Sequence, residues 1–241
     1  MARSRICQRL VKELFLSSRT DYSRPTFPLM LKKLLCRAAP LTLAALFATS
    51  ATAAFAEDPA AAAPTLNASV VDVQPQWTAY GFRISAPVDM WPMLELLHKY
   101  HFDWELYSAQ QRPTPLAWSP LAPGVYGQYV PSQNVVKLSS MLQNESTELA
   151  TAFLAHELTH LTDDLNDKLG NVTGDACYAA ETRAFVNEAN FWEIVNGPQG
   201  KTTSDWLEQQ ENNKMFAFVG HSDFADLVLR TTASYIKQCA S

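Results

Sequence analysis

The sequence predicts a mainly helical α+β domain that carries a small β-sheet or hairpin. Apolar residues recur at three- and four-residue steps in several segments, which is the spacing of amphipathic helices. Two short runs rich in β-branched and aromatic residues lie between these segments and predict strands. Because 47% of the 241 residues are hydrophobic, the chain can bury a substantial core.

The N-terminal region is predicted to lie outside this domain. Three basic residues after Met30 precede 19 uncharged residues, which is typical of a secretory signal peptide. Small residues at the end of this stretch predict cleavage before Glu57, and the alternative is an uncleaved membrane anchor. The predicted segments are an extension of uncertain role at 1–29, the signal peptide at 30–56, a flexible Ala- and Pro-rich linker at 57–76 and the folded domain at 77–241.

The charge of the exported part excludes two classes of partner. Residues 57–241 carry 10 Lys and Arg against 22 Asp and Glu, a net charge near −12. Nucleic acids and anionic lipids both require a basic surface. The sequence therefore predicts no nucleic-acid binding and, after signal cleavage, no membrane association.

The first half of the domain is predicted to contain one long helix and a hairpin. Asp89 can cap a helix that runs to about Tyr107, and four prolines then break the chain into a loop. The β-rich runs 124–129 and 134–138 flank a four-residue turn and predict a β-hairpin.

Four helices are predicted after the hairpin. Asn144 or Ser146 can cap the first, which Gly170 closes, and Asp175 can cap the second, which ends at the Asn-Gly-Pro sequence 196–198. The last two helices are expected over about 204–216 and 223–238.

Cys177 and Cys239 are the two cysteines that stay in the chain after signal cleavage, and exported proteins commonly pair such residues. A disulfide between them would close a loop of about 60 residues and contribute about 4 kcal/mol in the chain-entropy model. Two buried free thiols are the alternative, and Cys177 could also serve as a thiolate metal ligand.

The chemistry of the chain centres on residues 156–160, an H-E-x-x-H pattern inside the first of these helices. Residues four apart share one helix face, so His156 and His160 can bind one ion. Glu157 lies one step round the helix, where its carboxylate can take a proton from water on that ion. A catalytic zinc site also needs a third protein ligand and keeps a fourth position open.

The next helix offers the third ligand. The extended pattern with a third histidine is absent, because Asp163 and Asn166 stand where it requires Gly and His. Glu181 follows His160 by 21 residues, which leaves room for a loop and an antiparallel return, and it is the predicted ligand. Glu188, seven residues further on the same face, is interpreted as a surface charge.

Over about residues 120–195 the chain resembles the gluzincin-type zinc metallopeptidases, in which an H-E-x-x-H helix is followed by a glutamate ligand on a later helix. The resemblance implies a helical zincin-like core with His156, His160 and Glu181 as zinc ligands. It also implies that Glu157 is the general base.

The predicted hairpin and the helix that carries Glu181 can also be compared with the gluzincins. The runs 124–126 and 134–138 look like the edge strand ahead of the active-site helix in that group, and residues 135–138 could pair with an extended peptide. The thermolysin-like E-x-x-x-D arrangement is absent, since Phe185 occupies the Asp position. Asp163 and Asp164 are then candidates to orient an imidazole, or they belong to an ordinary solvated helix end.

The predicted function is that of an exported zinc-dependent hydrolase, a metallopeptidase that cleaves peptide or protein substrates with Zn²⁺ as cofactor. Glu157 would activate the zinc-bound water, and His221 would donate to the developing oxyanion, with Tyr178 and Tyr235 as weaker candidates. One alternative is a non-catalytic zinc-stabilised binding or inhibitory module of zincin-like fold. Another is a metal-free helical domain. A purely structural site gives Glu157 no role, which favours the peptidase.

Overall fold

The computed structural model describes residues 74–166, 168 and 173–240. The predicted extension, the signal peptide and all but the last three residues of the linker lie outside these residues, and so does Gly170. The first strand begins at Gln76, one residue before the predicted start of the domain.

The predicted fold class is confirmed, since the described residues form a mainly helical α+β structure with two small sheets. The strands are β1 (Gln76–Ala79), β2 (Phe82–Ser85), β3 (Leu116–Ser119), β4 (Gly127–Val130) and β5 (Val135–Ser139). The helices are α1 (Trp91–Lys99), α2 (Asp103–Gln111), α3 (Thr147–Leu165), α4 (Gly174–Asn196), α5 (Trp206–Phe218), α6 (Ser222–Thr231) and α7 (Ala233–Cys239). Within the described ranges, no helix combines the length and apolar character needed to cross a membrane.

Helix α3 lies at the centre of the domain and is buried on nearly every side by α1, α2, α4 and β4. Ser146 is its N-cap, one of the two predicted residues, and the hydroxyl accepts the N–H of Leu149 at 3.4 Å. Thr173 rather than Asp175 precedes α4, and Asp175 lies in the first turn of that helix. Helix α4 ends before Gly197, as predicted, where the backbone turns to a φ of 77°.

The predicted hairpin is confirmed, because β4 and β5 pair antiparallel around Asn134, which adopts a left-handed φ of 48°. Strand β3 lies in the stretch predicted as a proline-rich loop and pairs parallel with β5. The sheet order is therefore β3-β5-β4. The part of the edge-strand prediction that falls on 134–138 is wrong, because β5 is the central strand, and β4 is the edge strand beside α3.

The single helix predicted over 89–107 is two helices, α1 and α2. His101 adopts a left-handed φ of 66°, and the N–H of Phe102 donates to the carbonyl of Leu97 at 2.8 Å, which closes α1. The reversal carries Phe102 into the core, where its ring centroid lies 5.2 Å from that of Phe191. Apolar residues at three- and four-residue steps do not distinguish one long helix from two consecutive helices that bury the same face.

The helix predicted over 223–238 is also two helices, α6 and α7. Thr232 separates them with extended backbone (φ −91°, ψ 122°), and its hydroxyl donates to the carbonyl of Val228 at 2.8 Å. The bend brings α7 against α4, where Cys239 forms the predicted disulfide with Cys177.

Candidate metal centre

The two histidines of the H-E-x-x-H pattern and Glu181 converge between α3 and α4. The Nε2 atoms of His156 and His160 are 3.2 Å apart. Oε2 of Glu181 lies 3.6 Å from Nε2 of His156, and Oε1 lies 3.8 Å from Nε2 of His160. All three side chains are buried, and one ligand atom from each lies within 4.8 Å of the others. The group could hold a metal ion.

The spacing and chemistry of these atoms fit a divalent transition metal. Two nitrogen ligands at ordinary zinc distances and a tetrahedral angle lie roughly 3.3 Å apart, and the two imidazole nitrogens are 3.2 Å apart. Oε2 of Glu181 is buried and accepts no hydrogen bond from the described residues. Because a buried carboxylate oxygen without a partner is costly, a cation at this point would satisfy it.

Glu188 orients His156, so its interpretation as a surface charge is wrong. The carboxylate is fully buried, and its Oε2 lies 2.8 Å from Nδ1 of His156. A ligating imidazole usually donates its second nitrogen to such a group, which fixes the ring. The sequence contained the signal, because Glu188 lies seven residues beyond Glu181 on one face of α4 and burial of one predicts burial of the other.

Lys214 on α5 neutralises Glu188 inside the protein. Its Nζ lies 2.6 Å from Oε1 of Glu188 and 2.6 Å from Oε1 of Glu211, and all three side chains are buried. Burial would raise the pKa of Glu188, but Lys214 and His156 hold it well below its ordinary value. Sequence reasoning missed Lys214, since a Glu-Lys pair three residues apart is typical of a solvated helix face.

Asp163 and Asp164 form ion pairs, and the carboxylate on His156 comes from Glu188 instead. Asp163 is buried and lies 2.7 Å from the guanidinium of Arg183. Asp164 contacts Arg112 and accepts the hydroxyl of Tyr129 at 2.7 Å. The alternative of a plain solvated helix end is wrong too, because these contacts fasten the end of α3 to its neighbours.

Glu157 lies against the edge strand β4. Its Oε2 accepts the backbone N–H of Tyr129 at 2.7 Å, and a Cβ on Gly127 would lie 2.5 Å from its Oε1. Only glycine leaves room for this carboxylate. Sequence reasoning missed Gly127, although a glycine inside a β-rich run can indicate such a close approach.

The charges of the group follow from burial and from mutual contacts. Burial would lower the pKa of His156, but the carboxylates of Glu181 and Glu188, which lie 3.6 Å and 2.8 Å from its two ring nitrogens, raise it to about 10. Burial lowers the pKa of His160 to about 4, so the metal-free pair carries one positive charge at neutral pH. Burial also raises the pKa of Glu157 to about 8. A bound cation would replace the proton on His156.

His221 is exposed at the N-cap position of α6, and its predicted role as an oxyanion donor stays a prediction. Tyr235 on α7 is buried. Its ring centroid lies 5.6 Å from that of Phe185, which in turn lies 4.5 Å from that of His156. Burial and the charge of Glu181 raise the pKa of Tyr235, so the phenol keeps its proton and can donate it in a hydrogen bond.

No protein-family model, curated protein or solved structure matches this chain. The candidate metal centre is therefore argued from the geometry of its own side chains.

Proposed function

We propose that this protein is an exported zinc metallopeptidase. The observation that carries the proposal is the convergence of three buried ligands beside a carboxylate, Glu157, that is not one of them. Catalytic zinc sites commonly have three protein ligands, whereas structural sites are closed by four. The disulfide supports export, because disulfides persist in oxidising compartments.

The chain's own residues can perform the proton transfers of peptide hydrolysis. Zinc held by His156, His160 and Glu181 would polarise the peptide carbonyl and lower the pKa of water. Glu157 takes a proton from the attacking water and passes it to the nitrogen of the leaving amine. The N–H of Tyr129 holds one oxygen of Glu157 at 2.7 Å and leaves the other for the proton.

The substrate class is a peptide or protein in extended conformation. Strand β5 is paired on both sides and has no free edge for another strand. Strand β4 is an edge of that sheet, and two of its residues, Gly127 and Tyr129, contact or closely approach Glu157. A peptide could therefore add to β4 near the base, but only beside the edge groups that are free, since the N–H of Tyr129 already donates to Glu157.

A non-catalytic zinc-stabilised module is the second candidate, and burial favours it. His156 is 3% exposed, Glu157 is 2% exposed, and His160 and Glu181 are fully buried. In such a module the metal would hold α3 and α4 together without turnover of a substrate.

Metal analysis and a peptide-library digest of the mature protein separate these candidates. The peptidase proposal expects stoichiometric zinc, and cleavage that stops with a chelator and returns with added zinc. Zinc without cleavage, together with a lower unfolding temperature after chelation, would favour the module. A sample without stoichiometric metal would contradict both.

Replacing Gly127 by alanine should displace the carboxylate of Glu157. The added methyl group would lie 2.5 Å from Oε1, closer than van der Waals contact allows. We expect the free energy of unfolding to fall by about 1–3 kcal/mol and peptide hydrolysis to fall about 10²-fold. Urea unfolding and a peptide assay measure the two effects. Gln128→Ala, the next residue of β4, is the control, and a Gly127→Ala variant as active as this control would contradict the assignment.

A further inference from the structure

The C-terminal helix α7 contacts a predicted metal ligand directly. Nε2 of Gln238 donates a hydrogen bond to Oε1 of Glu181 at 2.8 Å. Glu181 is fully buried, and Gln238 is half-buried near the end of the chain. Such a contact to a ligating carboxylate restricts the orientations that its second oxygen can take.

The two oxygens of Glu181 have different surroundings. Oε1 accepts the amide of Gln238, whereas Oε2 accepts no hydrogen bond from the described residues. Oε2 is also the oxygen that lies 3.6 Å from Nε2 of His156. Gln238 thus occupies one oxygen and leaves the other for a cation.

The disulfide holds this contact in place. Cys239 is the residue after Gln238, and Cys177 lies one helical turn before Glu181 on α4. The two Cα atoms are 5.5 Å apart, and both cysteines are buried. The bond ties the last turn of α7 to the turn of α4 that precedes the ligand.

We propose that Gln238 is a positioning residue for the metal ligand Glu181 and that the Cys177–Cys239 disulfide keeps it there, so that metal affinity depends on the disulfide. The inference rests on the metal centre of the proposed function, but it does not require turnover. Gln238 and the disulfide then both affect metal binding through one contact, the hydrogen bond from Gln238 to Glu181.

Zinc affinity, measured by competition with a chromogenic chelator, tests this coupling in the mature protein. Gln238→Met keeps the volume of the side chain and removes the donor. We expect this variant and the double variant Cys177→Ser/Cys239→Ser each to bind zinc about 10–100-fold more weakly. Adding Gln238→Met to the double variant should weaken binding by less than about twofold further, since coupled residues are not additive.

Lys237→Met is the matched control, because it changes an exposed neighbour on the same helix and should keep the affinity of the wild type. The unfolding midpoint of Gln238→Met in the presence of chelator should fall, because Oε1 of the buried Glu181 loses its donor. The increase in midpoint that added zinc produces should also be smaller than in the wild type. Unchanged zinc affinity in Gln238→Met or fully additive losses would each overturn the positioning role. Absence of zinc binding in the wild type would instead overturn the metal centre itself.

Discussion

Replacing Glu157 by glutamine should leave zinc bound and lower the kcat of peptide hydrolysis by about 10²–10⁴-fold, the usual contribution of a general base. Glutamine keeps the size of the side chain, and its carbonyl oxygen can still accept the N–H of Tyr129 that now lies 2.7 Å from the carboxylate. Because burial already raises the pKa of Glu157 to about 8, a neutral group suits this site and the fold should be retained. A nearby divalent cation would lower that pKa and free the base in the loaded protein.

Glu148→Gln is the matched control, since it makes the same substitution in the first turn of the same helix, α3. Its zinc content and kcat should equal those of the wild type. Metal analysis and steady-state kinetics on one preparation give both quantities. If Glu157→Gln cleaves peptides like the wild type, Glu157 is not the base. If the variant loses zinc, its role lies in metal binding.

Local patterns predicted the centre of the candidate site better than its surroundings. The spacing of His156 and His160 and the helical phase of Glu181 depend on single helices, and these three side chains do meet. Lys214 lies on α5, which is distant in sequence from the H-E-x-x-H pattern. No local pattern indicates which distant side chain will form an ion pair with a buried carboxylate such as that of Glu188. The helical phase of Glu181 also predicts burial of Glu188, which lies on the same face. Because the sequence shows no charged partner for Glu188, an exposed position was the simpler interpretation.

The fold shows the same division between local and distant contacts. Helix periodicity and the hairpin spacing predicted most elements, because these depend on neighbours in sequence. The break at His101 and the position of β3 beside β5 depend on the core that they complete. The edge-strand prediction was wrong because β3, a strand from another part of the chain, covers β5.

The contacts around the histidines form one continuous charged group inside the protein. His156 contacts Glu188, Glu188 contacts Lys214, and Lys214 contacts Glu211. Each buried charge is therefore compensated by the next, and removal of a middle member leaves charges without compensation. Lys214 is the member whose removal leaves the most negative charge behind.

Replacing Lys214 by methionine should lower the free energy of unfolding by about 3–5 kcal/mol. Methionine fills a similar volume, but it leaves Glu188 and Glu211 buried without the ammonium that lies 2.6 Å from each. One carboxylate must then take up a proton or stay charged in the interior. Protonation of Glu188 would also weaken its hydrogen bond with Nδ1 of His156, so zinc affinity should fall about 10–100-fold. Urea unfolding in chelator and zinc competition measure these losses.

Companion variants separate charge from packing. Lys237→Met, an exposed lysine on α7, should change stability by less than about 0.5 kcal/mol. Glu211→Met should cost less than Lys214→Met, because burial and the charge of Glu188 already raise the pKa of Glu211 and disfavour its charged form. The double variant Lys214→Met/Glu211→Met removes the cation and one anion together, so it should be more stable than Lys214→Met alone. Losses that simply add in the double variant would mean that Lys214 does not neutralise Glu211.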